Sequence, residues 1–198
     1  MTGKNITGQG ILVCGCNGSG KSTLGKALAK RLGYHFIDNE DLFFPKTGGD
    51  YVYDSPRSKE EAKRLLAEEI RGHGRFVLAA VKGDYGSEIL SACELAVVIR
   101  IPEDIRRQRV RDRSFQKFGE RMLPGGDLYE REQRFFRMVE RRKAGDSEEW
   151  ADSLGCVVIK VDGTKAIWEN VEIIAGFLSG EGRAETGRDG GSSQGRQI

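Results

Sequence analysis

The sequence predicts an α/β fold built around a doubly wound, five-stranded parallel sheet. Short apolar segments alternate with segments of helical periodicity along the chain, which is the pattern of parallel strands joined by helical crossovers. Several apolar segments, such as residues 76–81, carry no polar residue on either face, as strands do when helices cover both sides of a sheet. A glycine-rich turn also joins the first apolar segment to a helix.

Each element is predicted from its own residues. Apolar runs between turn residues predict strands over residues 10–13, 34–37, 75–81, 95–101 and 156–161. Helical spacing, caps and glycine or proline stops predict helices over residues 22–32, 38–44, 58–72, 87–92, 103–117, 128–154 and 165–178. Ser58 and Glu61 form a capping box at one helix start. An interruption of the long helix near Gly145 is an open alternative.

Length and composition favour one domain, predicted over residues 1–179 of the 198. No apolar run of about 18 residues is present, which argues against a membrane span. The first ten residues lack an apolar signal segment, and the four cysteines lack zinc-ligand spacing, so we expect free thiols in the cytoplasm. Residues 180–198 are glycine-rich without an aromatic residue, which predicts a disordered tail.

Charge is distributed unevenly along the chain. The net charge is only +2, which argues against a nucleic-acid-binding protein. Most of the arginines nevertheless lie between Arg100 and Arg142, and the forked guanidinium group suits contacts with phosphate. We expect some of these arginines to contact a phosphorylated ligand and the others to form surface ion pairs.

The glycine-rich turn matches the phosphate-loop pattern Gly-x-x-x-x-Gly-Lys-Ser/Thr. In such a loop, backbone N–H groups and the start of the helix surround the phosphates. The lysine reaches the β- and γ-phosphates, and the hydroxyl that follows it ligates Mg²⁺. The sequence therefore predicts ATP and Mg²⁺ as cofactors, with a nucleotide-binding set of Gly15, Asn17, Gly18, Ser19, Gly20, Lys21, Ser22 and Thr23, of which Lys21 is also catalytic and Ser22 is a metal ligand.

A phosphate-loop site usually includes an acidic residue that ends another strand, but the third predicted strand has none. Asp38 ends the second strand instead, and Asp41 follows it. Either carboxylate suits the placing of Mg²⁺ or acceptance of a proton from an attacking hydroxyl. Asp38 would equally suit a helix N-cap. Glu40 is an alternative to Asp41 for the role of the second acidic residue. Asp38 and Asp41 are thus the candidate catalytic acids, with Asp38 also a candidate metal ligand.

These features resemble the small-molecule P-loop kinases, which include nucleoside monophosphate, shikimate and gluconate kinases. The resemblance extends from about residue 10 to residue 178, and residues 36–41 are similar to the acid pair after the second strand in shikimate and gluconate kinases. It implies strand order 2-3-1-4-5, ATP at the carboxyl ends of the strands, and a small lid, here about residues 114–128. The Asp-Gly-x-Pro-Arg stretch of adenylate kinases is absent.

The resemblance also assigns roles beyond the phosphate loop. Arg109 and Arg113 are spaced like the two arginines at which adenylate kinases enter their lid, which implies that Arg109 stacks on adenine and Arg113 contacts phosphate. The stretch Asp162, Gly163 and Thr164 resembles the loop that lies against adenine.

Lids in this family bring in further arginines. Arg121 lies within the predicted lid, and Arg134, Arg137 and Arg141 recur on the helix that follows it. One or two of these should face the transferred phosphoryl group, where positive charge stabilises the transition state. The candidates are Arg137 and Arg141, besides Arg113.

The acceptor is the least determined part of the site. Residues 81–85 are similar to the Leu-Lys-x-x-Tyr stretch after the third strand in gluconate kinases. Lys82 and Arg57 suit an anionic acceptor, whereas Asp84 suits a hydroxylated or cationic one. Aromatic and acidic residues before the third helix are candidates both for lining the pocket and for packing the loop, namely Phe44, Tyr51, Tyr53 and Asp54.

Together these features favour an ATP-dependent phosphotransferase that moves the γ-phosphoryl group to a small-molecule acceptor, with a hydroxyl slightly favoured over a phosphate because of the acid pair. Two alternatives remain open: a P-loop ATPase that drives a conformational cycle, and a nucleotide-binding regulatory protein without turnover. The expected partner is the acceptor molecule rather than a membrane or nucleic acid. The chain is expected to be a monomer or a homodimer.

Overall fold

The computed structural model describes residues 8–45, 51, 53–143 and 145–180. Its strands are β1 (Gln9–Cys14), β2 (His35–Asp38), β3 (Arg75–Ala80), β4 (Cys93–Arg100) and β5 (Val157–Asp162). Its α-helices are α1 (Lys21–Leu32), α2 (Asn39–Phe43), α3 (Lys59–His73), α4 (Ser87–Leu90), α5 (Glu103–Phe118), α6 (Tyr129–Arg141), α7 (Gly145–Asp152) and α8 (Ile167–Ser179), and a 3₁₀ helix covers Gly119–Met122.

The five strands form one parallel sheet in the order β2-β3-β1-β4-β5, which confirms the predicted topology. The apolar strand β1 lies in the middle, where Leu12 is paired with Leu78 of β3 and with Ala96 of β4. Because the strands are parallel, their carboxyl ends lie at one edge, and β1, β2 and the phosphate loop meet there.

Helices cover both faces of the sheet, so each face of β1 packs in its own core. Leu12 points towards α3, where it packs in a cluster with Leu66 and Ile70. Val13 points to the opposite face and packs with Leu28 of α1 and Ile174 of α8. This arrangement explains why the central strands are apolar on both faces along their buried residues.

Helix ends follow the predicted signals. Gly33 ends α1 with φ of 68°, and its N–H donates to the carbonyl of Ala29, as a left-handed glycine C-cap does. Ser58 caps α3 by accepting a hydrogen bond from the Glu61 backbone N–H at 3.1 Å.

The long helix predicted over residues 128–154 is instead two helices, α6 and α7. The chain leaves the helical conformation at Arg142, whose φ and ψ are −79° and 114°. The open alternative of an interruption near Gly145 is therefore the observed one. Other boundaries differ by at most two residues: β4 begins at Cys93, α4 ends at Leu90 and α8 begins at Ile167.

The segment predicted as a lid begins inside a helix, because residues 114–118 are the last turn of α5. The 3₁₀ helix follows, and the backbone N–H of Leu128 donates to the carbonyl of Arg121 at 2.9 Å. Met122 and Leu128 are both buried. Residues 119–128 thus form a compact cap between α5 and α6, and its action as a lid stays a prediction.

In the described part of the chain, none of the helices is both long enough and apolar enough to span a bilayer. Gly180 is the C-cap of α8 with φ of 85°. The rest of the tail predicted to be disordered lies outside the described residues, as do positions 46–50 and 52 of the predicted loop before α3.

Candidate functional site

The phosphate loop connects β1 to α1, and its glycines have conformations that other residues rarely adopt. Gly18 and Gly20 have φ of 83° and 94°. A Cβ atom on Gly18 would lie 2.2 Å from the carbonyl oxygen of Arg106, so the loop packs directly against α5. Gly20 is the N-cap of α1 and offers no side chain to the first N–H groups of the helix, which leaves those groups available to an anion.

The loop also contains a hydroxyl group without a protein partner. Ser19 is 2% exposed, and its Oγ atom makes no hydrogen bond within the described residues. A buried polar atom is rarely left unpaired, and the first turn of α1 carries no acidic residue that would repel an anion. The loop therefore fits a phosphate group, which would accept hydrogen bonds from Ser19 and the backbone.

A cavity of about 890 Å³ opens beside the loop, at the carboxyl ends of β1, β2 and β3. This volume is ample for a small-molecule site. The residues that line the cavity come from the phosphate loop, from α2 and the segment after it, from the end of β3, and from α5, α6 and α7. They include Asn17, Lys21, Ser22, Asp38, Glu40, Phe44, Tyr51, Tyr53, Asp54, Lys82, Arg113, Arg131, Arg134, Phe135 and Arg142.

Positive charge dominates the cavity wall. Lys21, Lys82, Arg113 and Arg134 line the cavity, and no ion pair between described residues involves any of them, so their charges face the space. Burial lowers the pKa of Lys21 from 10.5 to about 8, an effect that Arg113 increases and that Asp38 opposes. An anionic ligand beside Lys21 would favour its charged form.

Of the candidate acids, Asp38 and Glu40 line the cavity, whereas Asp41 is exposed and does not. Asp38 accepts a hydrogen bond from the backbone N–H of Glu40 at 3.0 Å, which makes it the N-cap of α2. The two interpretations of Asp38 are therefore compatible, because a cap leaves its second carboxylate oxygen available. Glu40 accepts a hydrogen bond from the hydroxyl of Tyr53 at 2.8 Å.

The arginines after the cap segment divide into two groups. Arg134 lines the main cavity, whereas Arg137 and Arg141 line an adjoining, shallower depression on the outer side of α6. The structure thus brings Arg113 to Lys21 but places the predicted pair Arg137 and Arg141 beside the cavity rather than in it.

The sequence analysis missed Arg142, which lies where α6 ends. Its guanidinium donates a hydrogen bond to the side-chain oxygen of Asn17 in the phosphate loop. Burial lowers the pKa of Arg142. The signal that identifies this residue is the helix break, because Arg142 is the non-helical residue at which α6 ends.

Arg106 is also assigned by the structure alone. It is fully buried, and its guanidinium donates to the carbonyls of Val139 and Arg142 at 3.3 and 2.6 Å. Arg106 thereby fixes the end of α6 against α5, behind the phosphate loop. Its spacing of four residues from the buried Val110 placed it on the inner face of α5, a signal that its charge obscured.

The other predicted nucleotide residues lie on the opposite side of the loop. A cleft of about 330 Å³ is lined by Ser19, Thr23, Arg109 and Gly163, among others. Arg109 donates a hydrogen bond to the carbonyl of Gly163 at 3.1 Å.

The remaining two residues of this predicted set shape the turn beside the cleft. Asp162 accepts hydrogen bonds from the backbone N–H and the hydroxyl of Thr164, at 2.8 and 2.7 Å. These two side chains therefore hold the turn that carries Gly163.

Aromatic side chains also line the cavity. The ring centroid of Tyr53 lies 5.0 Å from that of Phe44 and 5.4 Å from that of Tyr51, both in edge-to-face contacts. It lies 6.3 Å from the ring centroid of Phe135. The hydroxyl of Tyr51 donates to the buried carboxylate of Glu132 at 2.7 Å. Phe44, Tyr51 and Tyr53 therefore both pack together and line the cavity, the two roles left open by their sequence.

This chain is similar in sequence to several known proteins. The family model described as "AAA domain" matches residues 11–134. "Uncharacterized protein YqaC" of Bacillus subtilis is 29% identical over 179 residues, which covers 86% of this chain and 98% of that protein. A shikimate kinase of Synechococcus elongatus is 27% identical over 111 residues, or 52% of this chain and 58% of that kinase.

Solved structures agree on the fold. Shikimate kinase from Bacteroides thetaiotaomicron has a TM-score of 0.54 with 19% identity, covering 86% of this chain and 98% of its own. Shikimate kinase from Acinetobacter baumannii, solved with shikimate, has a TM-score of 0.52 with 19% identity. The match covers 88% of this chain and 95% of that kinase chain. The chain therefore belongs to the family described as "AAA domain", and it has the fold of the shikimate kinases.

Proposed function

We propose that this protein is an ATP-dependent kinase that transfers the γ-phosphoryl group to a hydroxyl group of a small molecule. The observation that carries the proposal is the main cavity itself. Its lining combines residues of the phosphate loop, the cations Lys21 and Arg113, the acid Asp38 and several aromatic rings. These groups suit a phosphate donor at the loop, a transferred phosphoryl group beside the cations and an acceptor against the aromatic rings.

The nucleotide is proposed to lie along the loop, with its base in the cleft beside Arg109 and Gly163. The backbone N–H groups at the start of α1 and the Ser19 hydroxyl would hold its phosphates. Lys21 and Arg113 would neutralise the charge that develops on the transferred group. Arg142, through its hydrogen bond to Asn17, would keep the loop in shape.

Mg²⁺ is proposed to enter with the nucleotide, held by the hydroxyl of Ser22 and by Asp38, both of which line the cavity. Oxygen ligands of this kind are those that Mg²⁺ prefers. When bound, the ion would neutralise phosphate charge. Asp38 is fixed in direction by its cap hydrogen bond, so its carboxylate is already oriented towards the cavity.

The acceptor end favours a hydroxylated molecule that also carries a ring or another flat apolar face. Phe44, Tyr53 and Phe135 offer ring surfaces there, and such surfaces contribute more to the binding of flat ligands than of fully polar ones. Asp38 or Glu40 would accept a hydrogen bond from the hydroxyl and receive its proton.

The proposal includes a cytoplasmic location. Cys14, Cys16 and Cys93 are buried free thiols, and Cys156 is a half-buried one. Unpaired thiols of this number are typical of a reducing compartment. Whether the chain is a monomer or a homodimer stays a prediction.

An acceptor panel tests the proposal. ADP release is measured with Mg²⁺ and ATP alone, and then with nucleosides, nucleoside monophosphates, shikimate, sugar acids and aminoglycoside-like polyols. We expect slow basal release that rises at least about tenfold with one acceptor class, since a kinase positions its acceptor better than water. Lys21→Ala should abolish the rise, whereas Lys30→Ala, an exposed lysine on the same helix, should keep it. Release that no acceptor changes would contradict the proposal.

A further inference from the structure

The chain contains only two histidines, and the fold brings them together. His35 is the first residue of β2, an edge strand of the sheet, and His73 is the last residue of α3. Glu69 lies one helical turn before His73, so the two side chains share a face of α3. The three residues are far apart in the sequence but form one cluster at the surface.

The potential ligand atoms of this cluster converge on one point. The Nε2 atom of His35 lies 2.7 Å from Oε2 of Glu69, and the Nε2 atom of His73 lies 3.7 Å from that same oxygen. All three ligand atoms lie within 4.8 Å of one another. In tetrahedral zinc sites with bonds of about 2.0–2.1 Å, neighbouring ligand atoms are separated by about 3.3 Å. The observed distances lie on either side of that value.

The cluster is open to solvent and separate from the candidate kinase site. Between 34% and 47% of each of the three side chains is exposed, so an ion can reach them and water can complete its coordination. His35 begins β2 and Asp38 ends it, which places the cluster about 10 Å or more from the cavity, at the amino end of the strands.

We propose that His35, Glu69 and His73 form a binding site for a divalent transition-metal ion, of which Zn²⁺ is the best fit. Two imidazoles and a carboxylate are a donor set that Zn²⁺ shares with Co²⁺, Ni²⁺ and Cu²⁺, whereas Mg²⁺ prefers oxygen ligands. The ion would join the edge strand β2 to the end of α3 and would stabilise the folded chain by mass action.

Binding requires only a local adjustment. The two imidazole rings are stacked, with centroids 3.6 Å apart and planes inclined by 7°, so each ring must turn for its Nε2 lone pair to face a common ion. The exposure of both rings leaves room for that rotation. Each neutral imidazole would carry its proton on Nδ1 when Nε2 binds the ion, so His35 exchanges its hydrogen bond to Glu69 for a metal bond.

Untagged full-length protein, freed of metal by a chelator, tests this site. Co²⁺ is added while its visible absorption is recorded, and Zn²⁺ is then added to displace it. We expect one ion per chain, with the bands of nitrogen and oxygen ligation and a higher melting temperature in Zn²⁺. His73→Asn and Glu69→Gln should each weaken binding at least about tenfold, as ligand loss generally does.

Cys156→Ser serves as the control for ligation by the most accessible thiol, and it should bind like the wild-type protein. Binding that is lost in Cys156→Ser, or that persists unchanged in both His35→Asn and His73→Asn, would overturn the proposal. Equally, the absence of Zn²⁺ binding at 100 µM would overturn it. Each variant's circular dichroism is compared with the wild type, so that loss of binding is separated from loss of fold.

Discussion

At the residue scale, Lys21 links the buried environment of the phosphate loop to the pH dependence of ligand binding. Its pKa is lowered from 10.5 to about 8 because burial removes the ammonium group from water. The folded protein therefore loses this charge around pH 8, whereas phosphate binds the charged form. About half of the charge is lost at pH 8 and it is nearly complete from about pH 7 downwards, so the contribution of Lys21 to nucleotide affinity should be constant there.

We predict that nucleotide affinity falls as the pH rises above 8, by up to about tenfold per pH unit. Calorimetric titration with ATP from pH 7 to pH 9.5 measures this. The stability of the ligand-free protein should change in the opposite direction, since its unfolded state binds more protons between pH 8 and pH 10.5. A profile that is flat to pH 9.5 would contradict the assignment of Lys21, and the Lys30→Ala variant should retain the wild-type profile.

Asp38 and Asp41 are separated by a matched pair of variants. Asparagine caps helices as well as aspartate does, so Asp38→Asn should keep α2 intact while removing the charge. We predict that kcat falls at least about 100-fold, the range expected for an acid–base group or a metal-positioning carboxylate. Asp41→Asn, at an exposed position outside the cavity, should change kcat by less than about threefold. The reverse order of effects would move the catalytic acid to Asp41.

Much of the candidate site could be predicted at the residue scale because the phosphate loop is a local motif. Gly15 to Ser22 are adjacent in sequence, so their pattern is visible without a fold. Arg142 and Phe135 could not be assigned in this way, because their contacts depend on where α6 ends and which face it turns to the cavity. Arg137 shows the same limit, since helical spacing alone does not distinguish the inner face from the outer one.

At the scale of elements, the junction of α5 and α6 depends on Arg106. Its guanidinium is fully buried and supplies the hydrogen bond to the carbonyl of Arg142. Replacing the side chain with an apolar one leaves that carbonyl without its donor, and an unsatisfied buried group costs about 1–3 kcal/mol.

Arg106→Met should therefore lower the free energy of unfolding by about 1–3 kcal/mol and also weaken nucleotide binding, because Arg142 contacts Asn17. Urea denaturation and a nucleotide titration measure the two effects. Arg107→Met, which removes a surface pair with Glu103, should cost less than about 1 kcal/mol. Equal stability of the two variants would contradict the positioning role of Arg106.

The same junction explains why one helix was predicted where two exist. The residues of α6 and α7 are mostly polar and carry no proline, and Gly145, which signals an interruption, lies after the point where α6 ends. The end is fixed by a distant residue, Arg106, which binds the last carbonyls of α6. Element boundaries that depend on tertiary contacts of this kind cannot be derived from propensity.

At the scale of the whole molecule, alternation of apolar and helical segments was sufficient to predict a parallel sheet with helices on both faces. The order of strands was not, because β1, β3 and β4 are apolar on both sides and interchangeable by pattern. That order came from the resemblance to small-molecule kinases, and the structure confirms it. The alternation of apolar and helical segments is thus sufficient to predict the fold class. The strand order could be predicted only because the phosphate loop indicated a family of known topology.

The fate of the γ-phosphate tests the central claim most directly. ATP radiolabelled at that position is incubated with Mg²⁺ and the acceptor panel, and the label is separated into ATP, free phosphate and acceptor product. We predict that label moves into the acceptor at a rate that depends on acceptor concentration and is lost in Lys21→Ala. Label that appears only as free phosphate, at one rate with or without acceptors, would contradict the kinase and indicate an ATPase. Label that stays in bound ATP would indicate a regulatory nucleotide-binding protein.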